Sequence, residues 1–160
     1  MEEIRTEAGV SAGLMYRYFA SKDDMIEAAI SGSMAQFEAL VAHLGTNDDS
    51  ATANGYLRSL LSLLQQFRHH SEGVDLFRLA VQGWAHAQSR PGLKSVLTDS
   101  FSRQMVSYRS AAARWSTPAE ADAAAGAITA AVIGYVVQSA FSDTDVDVEK
   151  YCSGMATLGR

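Results

Sequence analysis

Apolar side chains recur along this chain with helical spacing nearly throughout. Ile26, Ile30, Phe37, Val41 and Leu44 follow steps of three, four and seven. Leu57, Leu60, Leu61, Leu64 and Phe67 form a second stripe, and Phe77, Ala80, Val81 and Trp84 a third. Leu97, Phe101, Met105, Tyr108, Ala112 and Trp115 form a fourth, and Ile128, Val132, Tyr135 and Val136 a fifth. Each set falls on one face of a 3.6-residue helix. No segment alternates with period two for long enough to make a strand, so the pattern predicts an all-α protein.

Polar punctuation separates the stripes. Gly45 to Ser50 reads as a loop, with Ser50 or Thr52 able to cap the next helix. Ser71-Glu72-Gly73 and Arg90-Pro91-Gly92 are further breaks. Thr117 as N-cap, Pro118 in the first turn and Glu120 at N3 form a capping box. An acidic loop, Ser142 to Asp147, leads to a short helix near Val148–Leu158. The first thirty residues differ. Met1–Ala8 reads as a short helix, Gly9-Val10 as a turn, and Ala12–Tyr18 as a second short helix with Ser11 as its N-cap. Ser21 then caps a long helix. Two short helices joined by a glycine-containing turn form a helix-turn-helix pattern, and Gly9 suits the left-handed backbone such a turn needs.

Composition narrows the class. The chain has 160 residues, enough for one domain or a domain with a small appendage. Hydrophobic residues at 48% and charged residues at 19% argue against disorder. The longest run without charge, Ala123 to Phe141, is Ala-rich and interrupted by Gly126, Thr129, Gly134, Gln138 and Ser139. It reads as a buried helix, with no membrane partner expected. The lone Cys152 excludes an intramolecular disulfide and a cysteine zinc site. No His-x3-His or His/carboxylate cluster suggests a metal, and no nucleophile motif or Gly-rich phosphate loop suggests an enzyme or a cofactor. The net charge of −5 excludes a basic nucleic-acid coat.

The N-terminal residues carry a more specific signal. Glu7-Ala8-Gly9-Val10-Ser11-Ala12-Gly13, then Tyr16-Arg17-Tyr18-Phe19, then Ser21-Lys22, resembles the DNA-binding signature of the TetR (tetracycline repressor-like) family of transcriptional regulators. The resemblance covers roughly residues 3–30. Arg78 to Ala85, Arg90 to Leu93, and Ala131 to Gln138 are similar to the family in architecture alone. Three departures stand out. The helix that members carry before the position of Glu2 is missing, so a chain truncated at its N-terminus is expected. Arg5 stands where the family usually has Ala. Arg5, Arg17 and Lys22 are outnumbered by Glu2, Glu3, Glu7, Asp23, Asp24 and Glu27, so the first thirty residues alone should bind DNA poorly.

The resemblance implies a DNA-binding helix-turn-helix domain over residues 1–30 and an effector-binding, dimerising helical bundle over 31–160. Ser11, Ala12, Gly13 and Leu14 would lie near base edges, Arg17 would contact a base or phosphate, and Tyr16 and Lys22 would contact phosphate. Tyr18 and Phe19 are expected to pack inward. The implied function is a ligand-responsive regulator, a repressor released from a palindromic double-stranded operator by a small, largely apolar effector, acting as a homodimer in the cytoplasm. A helical interaction or sensor protein without DNA binding is the alternative, favoured by the acidic N-terminal segment.

For the effector, Phe67, Phe77, Trp84, Phe101, Met105 and Tyr108, with Phe37, supply an apolar lining. Gln138, Gln82, Gln104 and His86 are candidate polar groups. For the dimer, small residues at helical spacing between 123 and 141 allow close helix approach. Ala127, Ala131, Gly134 and Tyr135 are the interface candidates, with the 148–158 helix completing a four-helix contact.

Overall fold

The computed structural model describes residues 17–47, 52–68 and 75–158. These form six helices, with no strand among the described residues. They are α1 Lys22–Asn47, α2 Ala53–Arg68, α3 Leu76–Ala87, α4 Pro91–Ala112, α5 Pro118–Ala140 and α6 Val148–Leu158. The all-α expectation holds, and α1 runs without a break through residue 30.

Side-chain oxygens start most of these helices, at the positions the punctuation indicated. Ser21 Oγ accepts from the Asp24 amide at 3.1 Å, and Thr52 Oγ1 from the Gly55 amide at 3.1 Å. The Glu120 carboxylate reaches back to accept from the Thr117 N–H at 3.0 Å and its hydroxyl at 2.7 Å. Those two bonds hold the Glu120 carboxyl below its usual pKa. Asp147 accepts from the Lys150 amide at 3.0 Å. At α4, Pro91 occupies the first turn and Arg90 provides no cap. The Arg90 guanidinium pairs instead with Asp23 on α1.

The larger core forms around α5. Its inner residues Ile128, Ala131, Val132, Tyr135 and Val136 pack with Leu57, Leu60, Leu61 and Leu64 of α2, Phe77 of α3 and Tyr108 of α4. Cys152 of α6 is buried in the same cluster, and burial raises its thiol pKa. α5 is long and apolar enough to cross a membrane by length and composition, but one face is packed inside the bundle.

A smaller cluster joins Ile30 of α1, Ala87 of α3, and Leu93 and Leu97 of α4. Helices α1 and α3 come close there because Gly83 has no side chain. A Cβ at Gly83 would sit 2.9 Å from Ile30 Cδ1. Trp84 packs against both clusters.

One charge lies inside this apolar frame. Arg68, at the end of α2, is 7% exposed. Its Nε donates to both Asp75 oxygens at 3.2 Å, and its Nη2 to Oδ2 at 2.6 Å. Nη1 donates to Asp145 at 2.9 Å, and the guanidinium lies 5.3 Å from the centre of the Phe77 ring. Asp75 is also the N-cap of α3, accepting from the Phe77 and Arg78 amides at 2.9 and 3.2 Å. Burial opposes the charge on Asp75, but the Arg68 bonds, the two amides and the Arg68 charge together hold its carboxyl below the usual range.

Asp75→Ala removes a helix cap and the main counter-ion of a buried guanidinium. It should destabilise the protein by about 3 kcal/mol in urea unfolding at neutral pH, and Asp145→Ala by less, because Asp145 is more exposed. The depressed Asp75 pKa stabilises the fold above its unfolded value, about 3.9. That contribution is lost as pH falls through the lower folded value. Acid unfolding should therefore steepen below about pH 4 in the native chain and flatten in Asp75→Asn.

Candidate functional site

Five helices line an apolar cavity of about 80 Å³, α2 contributing from its C-terminal part. Helix α1 contributes Ile30, Ser33, Met34 and Phe37, and α2 contributes Leu64 and Phe67. From α3 come Leu76, Phe77, Leu79, Ala80 and Trp84, and from α4 Phe101, Gln104 and Tyr108. Thr129, Val132, Ile133 and Val136 of α5 close it. No side chain in this wall carries a formal charge. The volume is several times what one water needs and below that of a drug-sized pocket.

Five of the seven expected effector residues meet in this wall: Phe67, Phe77, Trp84, Phe101 and Tyr108. Periodicity brings them together because each occupies the inner face of its own helix. The Phe37 and Phe67 ring centres are 6.3 Å apart, as are those of Trp84 and Phe101. Met105 and Gln138 do not line the cavity. Met105 lies one turn from the α4 lining and receives the Thr129 hydroxyl on its sulfur at 3.0 Å. Gln138 is on the exposed face of α5, and Gln82 and His86 are exposed on α3. Gln104, 5% exposed, is the amide that reaches the cavity.

The small-residue helix also divides its faces differently from the expectation. Ala131 and Tyr135 are 2% and 1% exposed, committed to the core of their own chain. Tyr135 donates to the Val146 carbonyl at 3.0 Å. Gly134 faces Tyr151 of α6, whose hydroxyl would lie 2.8 Å from an added Cβ and donates to the Ala131 carbonyl at 2.7 Å. Of the four interface candidates, Ala127 alone is exposed. The exposed face includes the small residues Ala123, Gly126, Ala127 and Ala130 beside Asp122 and Gln138, and the C-cap residue Phe141 is 77% exposed.

Toward the N-terminus, Ser11, Ala12, Gly13, Leu14 and Tyr16 lie outside the described residues. Arg17 is exposed, and Lys22 is exposed at the first position of α1. Tyr18 does not pack inward: it is 70% exposed, projecting beside Arg17, whereas Phe19 is half-buried. Among the described residues no group of three His, Cys, Asp or Glu side chains is placed to hold a metal.

Residues 1–29 match the family model described as bacterial regulatory proteins, tetR family. The match ends inside the first turns of α1. No curated protein and no solved structure matches the chain.

Tyr108 borders the cavity fully buried, and its hydroxyl has no hydrogen-bond partner among the described residues. Burial raises its pKa, so it stays neutral. Tyr108→Phe should change stability by no more than about 1 kcal/mol, in either direction, in thermal or urea unfolding, because no bond is lost with the hydroxyl.

Proposed function

From the premise that this chain is a DNA-binding transcriptional regulator of the TetR family, we propose that it is a homodimeric repressor released from a palindromic operator by a small apolar effector. The match to a family of regulatory proteins over residues 1–29 supports this reading over a helical sensor without DNA binding. Members of the family are regulators and not enzymes. The observation that carries the finer reading is the course of α1. It begins at the matched DNA-binding segment and supplies one wall of the uncharged cavity.

Three features support a coupling between cavity and DNA. Ile30 lies in both the small cluster and the cavity wall, about two helical turns from Lys22. Asp23 is paired with Arg90 at the start of α4, and Glu27 lies over Gly92, its Oε1 3.3 Å from where a Cβ would be. The start of α1 is thus seated on the same helices that form the cavity. An occupant that fits better when α1 is displaced lowers DNA affinity by its differential affinity for the two arrangements. A target on DNA supports a cytoplasmic site of action.

For DNA, Lys22, Arg17 and the N-terminal residues Ser11, Ala12, Gly13, Leu14 and Tyr16 are the proposed contact set. Lys22 sits where helix amides also favour phosphate. For the dimer, the face of α5 bearing Ala123, Gly126, Ala127 and Ala130 is the proposed surface. Small side chains there let a second copy approach closely, and Phe141 adds an exposed aromatic ring.

Lys22→Ala should weaken binding to specific and scrambled duplexes alike. It should also reduce the slope of log affinity against log salt by about 1, read by fluorescence anisotropy. An unchanged slope would remove Lys22 from the phosphate contacts. In sedimentation equilibrium the native chain should be a dimer at micromolar concentration and Ala127→Arg a monomer; a native monomer would sink the dimer proposal.

A further inference from the structure

The cavity wall has one polar side chain whose orientation is dictated from outside the cavity. Gln104 of α4 donates from Nε2 to Ser100 Oγ at 3.2 Å. The Ser100 hydroxyl, fully buried, donates to Glu38 Oε1 on α1. Glu38 also accepts from Arg103 Nε at 2.7 Å and Nη2 at 3.0 Å. The Arg103 bonds come first in holding the Glu38 carboxyl below its usual range, against the cost of burial and with the Ser100 bond adding to them.

The direction of this chain follows from proton counting. A carboxylate paired with a guanidinium only accepts. Ser100 has one hydroxyl proton, and Glu38 takes it. Ser100 Oγ is left as an acceptor, so the Gln104 atom facing it must be the amide nitrogen. A flipped amide would set two oxygens against each other with no proton between them. That leaves the carbonyl Oε1 without a hydrogen bond among the described residues, on a side chain that borders both the cavity and an outer groove beside Glu38 and Arg103.

The Thr129 hydroxyl lies 3.0 Å from the Met105 sulfur and 2.9 Å from the Ala125 carbonyl. Trp84 Nε1 and the Tyr108 hydroxyl are buried and without hydrogen-bond partners among the described residues, and the indole N–H can only donate.

We propose that Gln104 anchors the effector through its side-chain carbonyl, and that the effector is a neutral, mainly apolar molecule of about one ring bearing a hydroxyl or N–H donor. Ser100 is the positioning residue that fixes the amide, and Glu38 carries the same chain onto α1. This rests on the cavity being the effector site. An uncharged wall leaves an ionic ligand without a counter-charge, and a buried carbonyl gains most from a donor.

The test is calorimetric titration of the full chain with 4-ethylphenol, 4-ethylanisole and ethylbenzene, which share a ring but differ in hydrogen bonding. The native chain should bind 4-ethylphenol about tenfold more tightly than the other two. Gln104→Leu should abolish that preference while leaving ethylbenzene affinity within about twofold. Ser100→Ala frees the amide to turn its N–H inward. It should narrow the gap between 4-ethylphenol and 4-ethylanisole, with ethylbenzene again unchanged, an effect that general loosening of the fold would not produce. Equal binding of the three probes, or a preference for 4-ethylanisole, would overturn the carbonyl anchor and leave the apolar site standing. Binding of none would overturn the effector-site reading, and this inference with it.

Discussion

A guanidinium in an apolar interior must be neutralised where it sits, and much of this bundle is arranged around that requirement. Arg68 ends α2, Asp75 begins α3, and Asp145 lies in the connection from α5 to α6. Neutralising one charge therefore fixes three chain segments against each other. The same carboxylate caps α3, so the helix start and the ion pair form together. With α2, α3 and α5 held in this way, most of the cavity wall is set before α1 contributes its side.

Helix α1 takes part in two kinds of contact. Its middle enters the larger core through Phe37 and Val41, and its beginning sits on α3 and α4 through Ile30 and the Asp23 pair with Arg90. The boundary expected at residue 30 therefore falls inside one continuous helix and divides no structural unit. The close approach at Gly83 brings α3 against the part of α1 nearest the segment that matches the tetR-family model. Trp84, the next residue, packs against both clusters and borders the cavity. Repacking around a ligand would be felt first at that junction.

What the sequence made legible was local or periodic. The helix starts at Ser21, Thr52 and Thr117 lie in short polar runs whose chemistry acts within three residues. The aromatic members of the cavity wall followed from stripes, since each stripe faces inward on its own helix. Contacts across long separations stayed hidden. Arg68 and Asp145 are 77 positions apart, and each resembles an ordinary solvated charge. The 123–141 helix is apolar on all sides, so periodicity could not tell which small residues face the core. Ala131 and Tyr135 turned inward, and Ala127 outward. Gln104 and Gln138 look alike in sequence; the first lies on an inner face of α4 and the second on an outer face of α5. The Gly83 approach was silent, because a glycine inside a helix announces no partner.

The unbroken length of α1 gives the molecule a mechanical property. Its 26 residues span about 39 Å, and roughly 22 Å of that separates Phe37, at the cavity, from Lys22. Pivoting at the cavity by about 5° would carry Lys22 through roughly 2 Å. Hydrogen bonds to phosphate tolerate only a few tenths of an ångström. In a symmetric pair the two ends would move oppositely, roughly doubling the mismatch against a duplex repeat of about 34 Å. A stiff arm of this length turns a rearrangement the size of one side chain into a displacement larger than a hydrogen bond can follow.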